Sequence, residues 1–169
     1  SAIWRDGPRA VGVSFVATLA LVALSFRRGR DRALTLGALL LGVVWMTGTM
    51  AALRLRLNFL NFVALPITFG IGVDYAVNVM RRFVQEVDEG ATDPVTPAVA
   101  ETGGAVVACS LTTIFGYSAL LTSANRALNS FGLAAVIGEV ACLLATVVAL
   151  SAALVLVTRQ RSATARGGG

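Results

Sequence analysis

The sequence predicts an all-α membrane protein, a bundle of five transmembrane helices. Hydrophobic residues make up 56% of the 169 residues, whereas about 45–50% is usual in a soluble domain, and the mean hydropathy is +0.78. These residues are concentrated in five runs near the length of roughly 20 residues that a membrane-spanning helix needs. All 14 basic side chains are arginines, and they lie at the ends of the runs. The chain is therefore interpreted as one polytopic membrane domain over residues 10–158.

The first two spans follow a short polar lead, residues 1–9. Residues 10–26 contain no charge and form a span of minimal length. Four arginines within residues 27–32 end this span. The second span is predicted over residues 33–53, which are uncharged and rich in Leu, Gly and Val.

The third span, predicted over residues 57–80, carries a carboxylate inside its apolar run. A charged side chain at the centre of a membrane helix costs about 2.5–3.5 kcal/mol on insertion scales, so Asp74 is a functional-site hypothesis by default. Asn78 lies four residues further on and therefore shares a helix face with Asp74. Pro66 removes one backbone donor and can kink the helix. This pattern is typical of a helix that handles protons or cations.

The last two spans follow an acidic connection. Residues 85–102 carry several acids without the spacing of a calcium-binding loop, which favours a solvated loop, with or without an interfacial helix. The fourth span is predicted over residues 103–122 and the fifth over residues 131–158. Residues 159–169 are basic and small, and they predict a disordered tail.

The distribution of arginine predicts the orientation. With five spans, residues 27–32, residues 81–102 and the tail lie on one side and hold nine arginines, whereas the other side holds five. The positive-inside rule makes the nine-arginine side cytoplasmic and places the N-terminus outside the cytoplasm. The chain opens without an initiator Met, and a portion of a longer protein is expected.

Several classes of function find little support in the sequence. There is no histidine, and the two cysteines lie in apolar spans outside any catalytic motif, so neither an enzyme nor a metal site is expected. A phosphate-binding G-x-x-x-x-G-K-[ST] loop is absent from the sequence. The arginines do not form a stripe interleaved with aromatic residues, which argues against nucleic-acid binding. No cofactor is expected.

The segment GIGVDYAVNVMRRF, preceded by LPITF, gives the most specific signal. It closely resembles the segment that follows the large extracytoplasmic domain in resistance–nodulation–division (RND) transporters. The similarity is greatest to the MMPL-like branch, which includes mycobacterial large membrane proteins and hopanoid exporters. The five spans and their loop lengths resemble the last five helices of such a transporter.

This resemblance implies proton-driven export across the bacterial inner (plasma) membrane. Asp74 would be the coupling carboxylate, and Tyr75 would join the proton relay by its position in the motif. The implied partners are the lipid bilayer, protons, and the N-terminal half and extracytoplasmic domains of the parent transporter. The implied cargo is a lipid or another hydrophobic molecule, with a hopanoid-type lipid as one candidate.

Alternatives stay open at each candidate residue. Asp74 could instead be hydrogen-bonded permanently to join two helices, Tyr75 could be a packing residue, and Asn78 could bond another helix. Thr112 and Thr113 could donate to ionised Asp74 or bond their own preceding turn.

Glu139 is the second intramembrane carboxylate, and no motif determines its role. With straight helices, it differs in depth from Asp74 by roughly 10–15 Å, so direct pairing is not assured. It could line a hydrated path, serve another part of the transporter, or be paired locally.

Two rival functions stay open for the whole chain. One is a non-transporting membrane module, either sterol-sensing-like or used in assembly. The other is an accessory subunit of protein export.

Overall fold

The computed structural model describes residues 2–55 and 59–167, with side chains described for this range apart from residues 2–8, 10, 59, 62 and 161–167. The prediction of an all-α bundle is confirmed: these residues form five long helices and no strand. Four of the helices are long and apolar enough to cross a membrane. In the first helix, the apolar stretch is shorter and covers Val11–Ser25.

The first three helices are regular α-helices, and the last two contain π-helical segments. The regular helices are α1 (Ala2–Ser25), α2 (Gly29–Ala52) and α3 (Phe59–Asp88). Helix α4 comprises a turn at Val95–Pro97, a π segment at Ala98–Thr102, the α-helix Gly103–Ala119 and a 3-10 turn at Leu120–Thr122. Helix α5 comprises Arg126–Leu144, a π segment at Ala145–Leu150, and Ser151–Gly167.

Several helices are longer than the predicted spans. Helix α3 is continuous through Pro66 and ends at Asp88, eight residues beyond the predicted limit of the span. The backbone at the C-terminus is helical through Gly167, where a disordered tail was predicted from residue 159. A helix can continue into water with polar residues of good helix propensity, such as Arg and Gln, so helix ends need not coincide with membrane boundaries. The membrane boundaries themselves stay predictions.

Helix α3 occupies the centre of the bundle and contacts α1, α2 and α5. In its most apolar stretch 56% of the residues are buried, compared with 11% in α4, which leaves most of its surface open. Among the fully buried side chains are Val22 of α1, Met46 of α2, Met80 of α3 and Leu154 of α5. The core therefore forms around α3, which is buried on most of its surface and exposed along the face that carries Asp74 and Asn78.

Helices α3 and α5 pack in parallel at very close range. A Cβ added at Gly72 would lie 2.8 Å from Cys142 Sγ, and one added at Gly138 would lie 2.5 Å from Thr68 Oγ1. Glycine at both positions lets the helices approach this closely without a shift of the neighbouring side chains. These two contacts align residue 72 with residue 142 and residue 68 with residue 138.

The end of the bundle with the α1–α2 and α3–α4 connections is called the arginine-rich end. Arg82 of α3 bonds Glu86 at 2.8 Å and Glu101 of the α4 π segment at 2.9 Å. Arg28 contacts Asp88 at 3.3 Å across the exposed surface. The side chains of four other arginines in the orientation count, Arg5, Arg56, Arg161 and Arg166, lie outside the described residues.

Candidate functional site

Asp74 lies at the middle of α3, on the face that neither α2 nor α5 covers. Its side chain is exposed at the surface of the bundle. Asn78, one helical turn away, directs its amide towards Asp74 Oδ1 at 3.4 Å, a long hydrogen bond. The shared face predicted for these two residues is therefore present in α3. No arginine is recorded in an ion pair with Asp74 within the described part of the chain.

Two open grooves flank Asp74. The larger has a volume of about 490 Å³ and is bounded by α1, α3 and α4, with Thr18 and Thr113 among its polar residues. The smaller has a volume of about 370 Å³, lies between α3 and α4, and includes Asn78. Asp74, Tyr75 and Cys109 line both grooves. A carboxylate, an amide and several hydroxyl groups thus share one recess in an otherwise apolar wall.

Tyr75 points from this recess into the core, where it meets the second carboxylate. Its hydroxyl donates a short hydrogen bond to Glu139 Oε1. Both residues are only 2% exposed. Glu139 is therefore paired locally, one of the alternatives left open by the sequence, and its partner is the neighbour of Asp74.

The register of α3 and α5 explains how this bond forms. Since residue 72 is level with residue 142, Glu139 starts about six residues above Tyr75, or about 9 Å along the axis. Side chains of a helix lean towards its N-terminus, so the long Tyr75 side chain reaches towards the level of Glu139. In the same register Asp74 lies about five residues, or about 7.5 Å along the axis, from Glu139, which is less than the roughly 10–15 Å expected from the sequence. The Tyr75 side chain bridges this difference in depth.

The two threonines of α4 bond their own helix. Thr112 Oγ1 donates to the Ala108 carbonyl at 3.1 Å, and Thr113 Oγ1 donates to the Cys109 carbonyl at 3.0 Å. Thr113 still lines the larger groove with Asp74, whereas Thr112 lines neither groove. A role for either hydroxyl at Asp74 stays a prediction, and in this arrangement their protons are directed elsewhere.

Ser110 is a candidate that the sequence reasoning did not single out. Its side chain is completely buried, its hydroxyl has no hydrogen-bond partner among the described residues, and it lies near the Tyr75 hydroxyl. Gly103, Val106 and Ser110 are the buried residues of the α-helical segment Gly103–Ala119, and their spacing of three and four marks a single helix face. This spacing is the pattern in the sequence from which Ser110 could have been assigned to the buried face.

The acids near the arginine-rich end have structural partners. Glu86 and Glu101 bond Arg82, and Asp93 accepts hydrogen bonds from the backbone N–H groups of Val95 and Thr96. The Thr96 hydroxyl also donates to Asp93, and these bonds hold the pKa of Asp93 below its usual value. Among the described residues no group of three or more potential ligands could hold a metal ion.

Comparison with known proteins agrees with this architecture. The model of the MMPL family matches residues 32–167, most of the chain. A relative from Methanocaldococcus jannaschii, "Putative membrane protein MJ1562", is 27% identical over 149 residues. This match covers 87% of the present chain and 38% of the relative, so the chain spans well under half the length of that protein. From the extent of the family match, the chain belongs to the MMPL family.

Proposed function

We propose that this chain is the C-terminal membrane half of a proton-motive-force-driven exporter of lipids or other hydrophobic molecules, with Asp74 as the proton-coupling carboxylate. Membership of the MMPL family supports the general class of membrane protein. Export and a hydrophobic cargo are proposed by analogy with the family.

One observation carries the proposal: Asp74 is exposed on the bundle surface at mid-helix, without an ion-pair partner among the described residues. A carboxylate that faced lipid at this depth would be expensive, so this face must meet water or another protein surface. The two grooves supply the recess in which water or a partner group could reach it. Such a carboxylate can bind a proton from one side of the membrane and release it to the other.

The coupling step needs only a change in the charge of Asp74. When ionised, Asp74 favours a hydrated groove and the hydrogen bond from Asn78. When protonated, it is neutral and tolerates an apolar neighbour. Because α3 contacts α1, α2 and α5, a shift of α3 that follows this change would move the whole bundle. The orientation proposed is an inner (plasma) membrane location with the arginine-rich end in the cytoplasm.

The test is proton-coupled efflux by the full-length transporter, comparing the wild type with Asp74→Asn. We expect the variant to insert normally and to lose transport, because Asn keeps the shape of the side chain and cannot bind a proton. Asp88→Asn is the matched control: it changes the same residue type in the same helix, where Asp88 contacts Arg28 on the exposed surface. This control should retain transport.

Retention of transport by Asp74→Asn would contradict the proposal. It would favour a structural Asp74 in a sterol-sensing-like or assembly module, in which the variant changes stability alone. Transport that depends on a separately encoded partner of the protein-export machinery would instead indicate the accessory-subunit alternative.

A further inference from the structure

We propose that Glu139 is a second proton-binding site, and that the Tyr75 hydroxyl passes the proton between Glu139 and the grooves at Asp74. This inference rests on the proposed proton-coupled function. It gives one membrane half two proton-binding carboxylates, on opposite sides of a single tyrosine.

The geometry makes Tyr75 the link between the two carboxylates. Tyr75 lines both grooves together with Asp74, while its hydroxyl bonds Glu139. Glu139 lines neither groove and is 2% exposed. A proton that travels from a groove to Glu139 in this conformation therefore meets the phenol on the way.

Hydroxyl and thiol groups surround Glu139 in the core of the bundle. The titratable groups that face it are Tyr75 from α3, Tyr117 from α4 and Cys142 from its own helix. Helix α2 contributes the apolar Met46 near Gly138, and no ion pair of Glu139 is recorded among the described residues. Arg126, at the start of α5, lies about 20 Å away along the helix. Glu139 thus has hydroxyl and thiol groups beside it and no ion-pair partner among the described residues.

The transfer is balanced at the tyrosine. The Oη–H bond of Tyr75 breaks as an O–H bond forms on Glu139, and Oη takes a replacement proton on the groove side from a hydronium ion, which becomes water, or from protonated Asp74, which becomes a carboxylate. Tyr75 ends neutral, Glu139 ends neutral, and one positive charge has left the groove. The reverse sequence returns the proton.

Ser110 offers a second hydroxyl beside Tyr75. Once Glu139 holds the proton, its O–H can donate to Tyr75 Oη, and the Tyr75 hydroxyl is then free to donate to another acceptor. The Ser110 hydroxyl is fully buried beside Tyr75 and has no partner in the described part of the chain. When Glu139 is protonated, the Ser110 hydroxyl can accept a hydrogen bond from the Tyr75 hydroxyl. This bond would satisfy a buried group that otherwise lacks a partner among the described residues.

Infrared difference spectroscopy on the full chain in lipid nanodiscs tests this proposal without a transport assay. A protonated carboxyl group gives a C=O band that an ionised one lacks, and subtraction of a variant spectrum assigns the band. During a pH titration we expect Glu139→Gln to remove one titrating band and Asp74→Asn to remove a different one. In Tyr75→Phe the Glu139 band should remain, at a shifted frequency, and its hydrogen–deuterium exchange should slow by about 100-fold, the low end of the effect of a positioned proton donor. Tyr117→Phe is the matched control: Tyr117 also faces Glu139 but is not hydrogen-bonded to it, so the exchange rate of the band should stay unchanged.

Two results would overturn the inference. One is the finding that Glu139→Gln removes no titrating band from the wild-type spectrum although the Asp74 band is present. This result would contradict a proton-binding Glu139 and leave the proposed function intact. The other is an unchanged exchange rate of the Glu139 band in Tyr75→Phe, which would show that protons reach Glu139 by another route. Failure of the proposed function itself is recognised separately, by the absence of a titrating Asp74 band.

Discussion

Asp74 and Tyr75 are adjacent in the sequence, yet the helix sends them in different directions. Successive residues of an α-helix are separated by about 100°, so Asp74 faces the open side of the bundle while the Tyr75 hydroxyl enters the core. The pair therefore joins an accessible carboxylate to a buried one. A single adjacent pair of residues can in this way connect two environments of very different polarity.

Asp93 provides a residue-scale prediction about pH. The hydrogen bonds from Thr96 and Val95 favour its ionised form and lower its pKa from 3.8. Because the pKa is lower in the folded state, the stabilisation is complete above pH 3.8 and is lost as the pH falls through the folded-state pKa. The difference in thermal stability between the wild type and Asp93→Asn should thus be constant near neutral pH and shrink in acid. Thr96→Val removes the Thr96 hydroxyl donor, so the loss of thermal stability in acid should be smaller in this variant than in the wild type. A stability difference between the wild type and Asp93→Asn that grows in acid would contradict this prediction.

At this scale the sequence predicted the individual chemistry of the site better than its pairing. Asp74 stands out because a carboxylate within an apolar span is costly, and Asn78 follows from the helical repeat. The bond from Tyr75 to Glu139 could not be predicted, because the pattern of one helix carries no information on the axial register of another. That register depends on the glycine contacts at Gly72 and Gly138, which become visible only when α3 and α5 are placed together.

At the scale of helices, α4 packs against α5 along its length and approaches it most closely at Gly132. A Cβ added at Gly132 of α5 would lie 2.9 Å from the Tyr117 carbonyl oxygen and 2.8 Å from Leu120 Cβ, both on α4. These neighbours are a backbone atom and the first atom of a side chain, so neither can move independently of its helix. The five-helix architecture followed from the sequence, whereas this tight contact and the two π segments did not, because an apolar run is compatible with several modes of packing.

We therefore expect Gly132→Ala to separate α4 from α5. Overpacking of this kind costs about 1–3 kcal/mol, and the loss should appear in the free energy of unfolding in mixed micelles. Gly116→Ala is the matched control, because a Cβ at Gly116 of α4 meets nothing within 4 Å. The control should be neutral or stabilising by up to about 1 kcal/mol, since Ala favours the helix over Gly. If Gly132→Ala and Gly116→Ala were equally stable, the contact of Gly132 with α4 would have to relax without cost, which would contradict this prediction.

At the scale of the whole molecule, the bundle has one well-packed side and one open side. Helix α4 is mostly unburied, and Phe115 in its middle is 72% exposed. Such apolar exposure would suit lipid, whereas the exposed Asp74 and Asn78 beside the grooves would not. A protein surface that covers the grooves accounts for both features. The matched N-terminal half proposed from the family resemblance is the partner we expect there.

The two cysteines allow this arrangement to be tested directly. Cys109 is exposed beside Asp74, whereas Cys142 is buried between α3 and α5, so a maleimide should label Cys109 selectively in the chain purified alone in micelles. When the chain is co-expressed with the matched half, we expect Cys109 to become protected while Cys142 stays unlabelled. Vesicles that contain the chain alone should show no proton-coupled efflux, because Asp74 then lacks the surface that closes its groove. Efflux by the chain alone, or equal labelling of Cys109 with and without the second half, would mean that the open side functions without that partner.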